Sequence, residues 1–196
     1  DEDAADAALR EAVELDPRAA RPHHDLAARL LTRARFEEAD AAIDRLLELA
    51  PDQLAGWLLR GNGARERGDA AAAVAAYEAA AARAPELAAA WLNLGQVHFE
   101  AGRAEQALAA YRKAGELAPD HAGPIVLVAN ARRHTERDAE FARLEKLARN
   151  PRGSGVDPHV ALFAYAKALA ELGDDARAFD ALVRAHREKR RLEPFD

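Results

Sequence analysis

The chain has 196 residues, 49% of them apolar and only 6% aromatic, with no Cys, no Met and a formal charge of -6. The lack of Cys excludes disulfides, thiolate chemistry and cysteine-ligated zinc, and fits the cytosol without requiring it. The mild negative charge argues against a nucleic-acid binder, which needs a net basic face, and no run approaches the ~18 apolar residues of a bilayer span or the core of a signal peptide.

The chain opens with "DEDAADAALREAVELD", seven acids against one Arg, and contains no Met, so it reads as a fragment or processed form of a longer protein. From residue 20 onward a motif recurs every 34 residues. Aligned on Trp57 and Trp91, the columns are His23/Trp57/Trp91/Ile125, then Leu26/Arg60/Leu94/Val128 beside the small Ala27/Gly61/Gly95/Ala129. Ala39/Ala73/Ala107, Ile43/Tyr77/Tyr111 and Pro51/Pro85/Pro119 follow in the same phase. One step back, Ala5, Leu9, Ala12 and Pro17 make 1–19 the second helix of a partial unit. The predicted units are 20–53, 54–87 and 88–121.

Within a unit, Trp57, Arg60, Gly61 and Ala64 lie at i, i+3, i+4 and i+7, one face of a helix, and Ala73, Val74, Tyr77 and Ala80 form a second such stripe. Between them "RGD" and "AGR" supply a Gly able to end the first helix in the left-handed conformation, and Pro closes the second. Small residues at Gly61, Gly95, Ala73 and Ala107 let two antiparallel helices approach closely. No period-two run of β-branched residues competes with this reading.

The columns from 20 to 121 resemble the tetratricopeptide repeat in length and in their Trp-x-x-Leu-Gly, Ala, Tyr and Pro positions. That resemblance implies an all-α fold: a right-handed α-solenoid of antiparallel helix pairs, stacked because no pair buries its apolar face alone. Residues 122–151 form a degenerate unit in which Phe141 occupies the small column and Glu145 the aromatic one, so its second helix is either shifted in register or packed differently. A loop at 152–158 follows, then a last helix pair at 159–191 and the start of a linker at 192–196.

Residues 125–191, with "RRHTERDAEFARLEKLARN" and "LFAYAKALAELGDDARAFDALVRAHREKRR", resemble the end of the repeat region in bacterial proteins that fuse tetratricopeptide repeats to a C-terminal sulfotransferase domain. This implies the N-terminal substrate-selecting or dimerising arm of a larger enzyme, whose catalytic domain would begin after "LEPFD". A self-contained adaptor, or an arm of another transferase or a hydroxylase, are the alternatives.

No catalytic residue, cofactor or metal site is expected in this chain. "PRGSG" at 151–155 echoes a phosphate loop but lacks a Thr pair and a preceding strand, and Gly61-Asn62-Gly63 lies inside a helix without the Lys of a nucleotide loop. The seven His include no His-x-x-x-His pair, and Ser154, Thr32 and Thr135 have no evident base.

Recognition is the remaining chemistry. In tetratricopeptide arrays one flank of each first helix lines a concave groove, and here that flank reads as three columns: His24, Leu58, Leu92 and Val126; Ala28, Asn62, Gln96 and Asn130; Leu31, Arg65, Phe99 and Arg133. The last pair adds Phe163 and Lys167. An amide ladder can hydrogen-bond an extended peptide backbone at ~0.5–1.5 kcal/mol per bond, with Leu58, Leu92 and Phe99 adding apolar contact. Arg65, Arg133 and Lys167 would favour an acidic peptide or a C-terminal carboxylate. The expected partner is thus a protein or peptide, with a homodimer open to it.

Overall fold

The computed structural model describes residues 2–192, with side chains from Ala5 onward; the predicted linker beyond residue 192 lies outside the described residues. These residues form eleven helices and no strand. They divide into two compact units, residues 1–101 and 102–196, the division falling inside the predicted unit 88–121.

The first compact unit holds α1 (Glu2–Leu15), α2 (Ala20–Thr32), α3 (Phe36–Leu49), α4 (Leu54–Glu66), α5 (Ala70–Arg83) and α6 (Ala88–Glu100). Each helix packs on the next, and α2 also meets α4. The second holds α7 (Ala104–Leu117), α8 (Ala122–Ala131), α9 (Ala139–Arg149), α10 (Pro158–Glu171) and α11 (Asp175–Leu192), again packed in succession, with α8 meeting α10. The fold class is all-α, helix pairs stacked as in a solenoid.

Buried positions explain the stacking. In α3 the core side is Ala39, Ala42, Ile43 and Leu46; in α5 it is Ala73, Ala76, Tyr77 and Ala80; in α7 it is Ala107, Ala110, Tyr111 and Ala114. Small side chains let the neighbouring helix sit close, and Ile43 with Leu46 in α3, Tyr77 in α5 and Tyr111 in α7 fill the remaining space. The contact at Gly61 shows how close: a Cβ there would stand 2.4 Å from the fully buried Tyr77 ring.

Ring nitrogens add a repeated clasp absent from the sequence reading. Trp57 Nε1 donates to the Pro51 carbonyl at 2.8 Å and Trp91 Nε1 to the Pro85 carbonyl at 2.9 Å. His23 Nε2 meets the Pro17 carbonyl at 3.2 Å, and because a carbonyl only accepts, Nε2 carries the proton. The aromatic column therefore holds the loop that precedes its own helix as well as filling space.

Turns inside the pairs use the left-handed conformation at Gly68 (φ 78°), Gly102 (φ 72°) and Gly173 (φ 75°). Thirty-four residues before Gly68 the same conformation falls on Ala34, at φ 54°.

In the degenerate unit the 34-residue register persists. Phe141, Leu144 and Ala148 are buried in the columns of Ala107, Ala110 and Ala114. Packing is what changes. Glu145, in the aromatic column, accepts a hydrogen bond from the Tyr165 hydroxyl of α10 at 2.9 Å, and the Tyr165 ring lies 5.8 Å from that of Phe141. In addition α8 has 10 residues where α2, α4 and α6 have 13, and a non-helical stretch at 132–138 replaces the three-residue turn of earlier pairs.

Candidate functional site

Within the first compact unit, the flank residues of α4 and α6 are half-exposed and several are already engaged. Leu58 packs beside Trp57, Leu87 and Trp91 against Ala80, Ala81 and Ala90, while Leu92 is half-buried. The Asn62 side-chain carbonyl accepts from the Tyr77 hydroxyl at 2.7 Å. Burial pushes the Tyr77 pKa up, so the phenol keeps its proton and remains the donor.

Arg65, expected to favour an acidic peptide, lies beside two carboxylates of its own compact unit. Its guanidinium donates to Glu66 at 3.0 Å and to Glu100 at 3.4 Å, and Gln96 Nε2 donates to the same Glu100 oxygen at 2.8 Å. Burial works against the charge of Arg65, but the Tyr77 hydroxyl and Glu100 hold its pKa above the ordinary value. The Arg65–Glu100 contact joins the ends of α4 and α6, and these two side chains line a cleft of about 300 Å³ together with Gly68, Ala70 and Val97. Phe99, one helical turn beyond Gln96, is 44% exposed, the largest exposed apolar side chain on α2 to α6. Of the earlier column members, His24 is bonded to Asp25 at 2.9 Å and Leu31 is half-buried.

The second compact unit treats its flank differently. Val126 is 3% exposed and belongs to the core with Phe141, Leu144 and Leu162, so its side chain faces inward. Asn130 and Arg133 are exposed, and Arg133 makes no ion pair among the described residues. Phe163 sits half-buried between the rings of His159 and His186.

Lys167 serves the fold. Its ammonium donates to the carbonyls of Ala129 at 3.1 Å and Arg132 at 2.8 Å, the end of the shortened α8, and pairs with Glu171 at 3.1 Å. Glu171 in turn accepts the His134 backbone N–H at 2.8 Å. Burial disfavours the Glu171 charge, yet that N–H and the Lys167 ammonium hold its pKa below the usual carboxylate range. Arg132 pairs with Asp138 at 2.7 Å and also with Glu140, which receives Arg112 at 2.6 Å. Sequence periodicity missed both networks because their partners lie in the non-helical stretch at 132–138 and just beyond it. The "PRGSG" loop closes on itself, the Ser154 hydroxyl donating to the Pro151 carbonyl at 2.7 Å.

Stacked helix pairs with a half-exposed flank of amides, apolar side chains and ion pairs define a helical-repeat scaffold. Residues 58–122 match the tetratricopeptide repeat family. Three solved structures share the fold. One is YrrB, described as a tetratricopeptide-repeat protein with an unusual peptide-binding site, 19% identical, with 92% of each chain covered and a TM-score of 0.69. PilF of Pseudomonas aeruginosa is 20% identical over 100% of this chain and 86% of its own, with a TM-score of 0.75. A MamA double mutant is 15% identical over 99% and 88%, with a TM-score of 0.59. No protein of curated function matches the sequence. No described helix is long and apolar enough to cross a membrane.

Proposed function

We propose that the chain is a scaffold that captures a protein or peptide segment along the flank of the first helices of its first compact unit, at Leu58, Asn62, Arg65, Leu92, Gln96 and Phe99; in the second compact unit, taken by itself, Asn130 and Arg133 are the exposed members of the corresponding columns. The observation that carries this reading is the exposed Phe99 ring beside the Arg65–Glu100–Gln96 cluster. Phe99 offers an apolar anchor, the amides and ion pair offer donors and acceptors to a peptide backbone, and a fixed polar rim around an aromatic anchor is how small interfaces concentrate affinity. With Glu66 and Glu100 beside Arg65, this flank selects by shape and backbone bonding more than by charge. The peptide-binding site of YrrB supports the same use of the fold.

The likeness of 125–191 to repeat regions that precede sulfotransferase domains supports a wider role for the scaffold as a substrate-selecting or dimerising arm of a larger bacterial enzyme. Reading the gene downstream of Asp196 tests it: a strand followed by a Pro-x-Ser-Gly-Thr loop supports the arm, and a stop codon leaves a self-contained adaptor.

The flank itself is tested by panning a phage-displayed random peptide library on the immobilised chain. Peptides enriched on the wild type should lose about tenfold in affinity to Phe99→Ala, a typical cost for an exposed aromatic anchor, with melting temperature nearly unchanged. Enriched peptides that bind Phe99→Ala and Gln96→Ala as well as wild type would place recognition elsewhere.

A further inference from the structure

Among the described residues, the end of the second compact unit gathers more basic than acidic side chains. Arg184, Arg187, Arg190 and Arg191 lie within about two turns of α11. The end of α9 and the 150–157 loop bring Arg149 and Arg152 to the same side, and a cleft of about 400 Å³ opens among five of these six guanidinium groups and Glu188. Glu188 is shared by Arg152 at 2.8 Å and Arg191 at 3.0 Å. Arg149 pairs at 3.2 Å with Glu145, which also serves Arg177, and Arg184 donates to the Ala148 carbonyl at 2.8 Å. Arg187 and Arg190 make no ion pair among the described residues. Of the six arginines, Arg149, Arg152 and Arg191 thus reach a carboxylate, Glu145 or Glu188.

A second cleft of about 390 Å³ adjoins the first through Arg187 and Arg191 and adds Arg190 and Val183. Farther back on the same side of α11 stand Phe179, Leu182 and Val183, at i, i+3 and i+4, exposed by 66%, 39% and 41%. An apolar stripe therefore runs directly into a cluster of arginines.

We propose that this face of α11 is a docking surface for an acidic amphipathic segment of a partner protein. Aspartate and glutamate side chains would take the two-pronged hydrogen bonds that guanidinium groups offer carboxylates, and relieve the repulsion among the arginines. The segment's apolar side chains would cover Phe179, Leu182 and Val183, which water otherwise solvates at a cost. Nucleic acid fits less well: the patch is two turns long on a chain of charge -6, no aromatic side chain lines either cleft for base stacking, and apolar side chains border the arginines. The surface uses different helices from the Phe99 flank and does not depend on that reading.

The test measures fluorescence anisotropy with the full chain and a labelled peptide of Glu and Leu at helical spacing, about twelve residues long to follow three turns of α11. The same peptide with Lys in place of Glu, and an oligothymidine of equal length, serve as comparison probes. The acidic peptide should bind, weaken as salt rises, and lose about tenfold in affinity to the double variant Arg187→Glu, Arg190→Glu. That variant should keep the far-ultraviolet circular dichroism and melting of wild type because both positions are exposed. Phe99→Ala should leave acidic-peptide binding unchanged, which separates this surface from the flank. Equal binding of the acidic peptide by wild type and double variant would overturn the proposal, and oligothymidine binding tighter than the peptide and lost in the double variant would reassign the surface to nucleic acid.

Discussion

At Gly61 a single methyl group decides between two opposed effects. Alanine is the better helix former by about 1 kcal/mol, but its Cβ would meet the Tyr77 ring at 2.4 Å, and that ring is fully buried and tethered through its hydroxyl to Asn62. Overpacking against a fixed ring costs more than propensity returns, so Gly61→Ala should lose about 1–3 kcal/mol in urea unfolding. A gain in stability would show that the ring moves aside freely. Ala34 presents the reverse case. Its φ of 54° costs an L-residue about 1–2 kcal/mol, part of which Gly would give back as greater freedom of the unfolded chain. Ala34→Gly should therefore raise stability by up to about 1 kcal/mol in the same assay, whereas Ala substituted for Gly68 should lower it. The small column at Gly61 was legible from its 34-residue recurrence. The strain at Ala34 was not, because alanine reads locally as a helix former.

Among the elements, the short α8 and the stretch that follows it show how a repeat drifts without losing phase. Sequence alone left open whether the second helix of this unit slips in register, and the buried Phe141, Leu144 and Ala148 show that it keeps it. What fails is the aromatic position, and α10 compensates by bringing Tyr165 to Glu145. The ring of His134 is 1% exposed, packs edge-on to Phe141 and has its Nε2 3.3 Å from the Ala129 carbonyl. Burial, and then repulsion from Arg132, hold its pKa below the ordinary 6.5. The fold therefore favours the neutral ring. Its contribution is complete above about 6.5 and is lost as pH falls below that value, because the unfolded chain then takes up the proton first. Thermal melts of the wild type should decline as pH drops from 7 toward 5. His134→Gln, which keeps an N–H donor and cannot titrate, should flatten that decline, and an unchanged slope would assign it to other groups.

On the scale of the whole chain, periodicity exposed the helix pairs and their order because burial repeats every 34 residues. The same recurrence named flank columns, of which Val126 turns inward, and gave no sign of their partners: Tyr77 reaches Asn62, Glu100 pairs with Arg65, and Lys167 closes α8, each through a contact that no local pattern encodes. Repeat arrays are stabilised by units and by interfaces between neighbours, so damage should remain local. Lys167→Met removes the ammonium that holds the Ala129 and Arg132 carbonyls and Glu171. Hydrogen bonds from a charged donor are worth about 1.5–3 kcal/mol when fully buried, and with this side chain 38% exposed the loss should be nearer the lower value. Measured by hydrogen exchange, amides of α8, α9 and α10 should exchange about tenfold faster, while those of α2 and α3 keep their wild-type rates. The two compact units, 1–101 and 102–196, each have their own succession of packed helices, which is why protection is expected to fail in one and persist in the other. Uniform acceleration from α2 to α11 would show that the chain opens as a single cooperative body, and neighbour-limited stability would then be the wrong description of this solenoid.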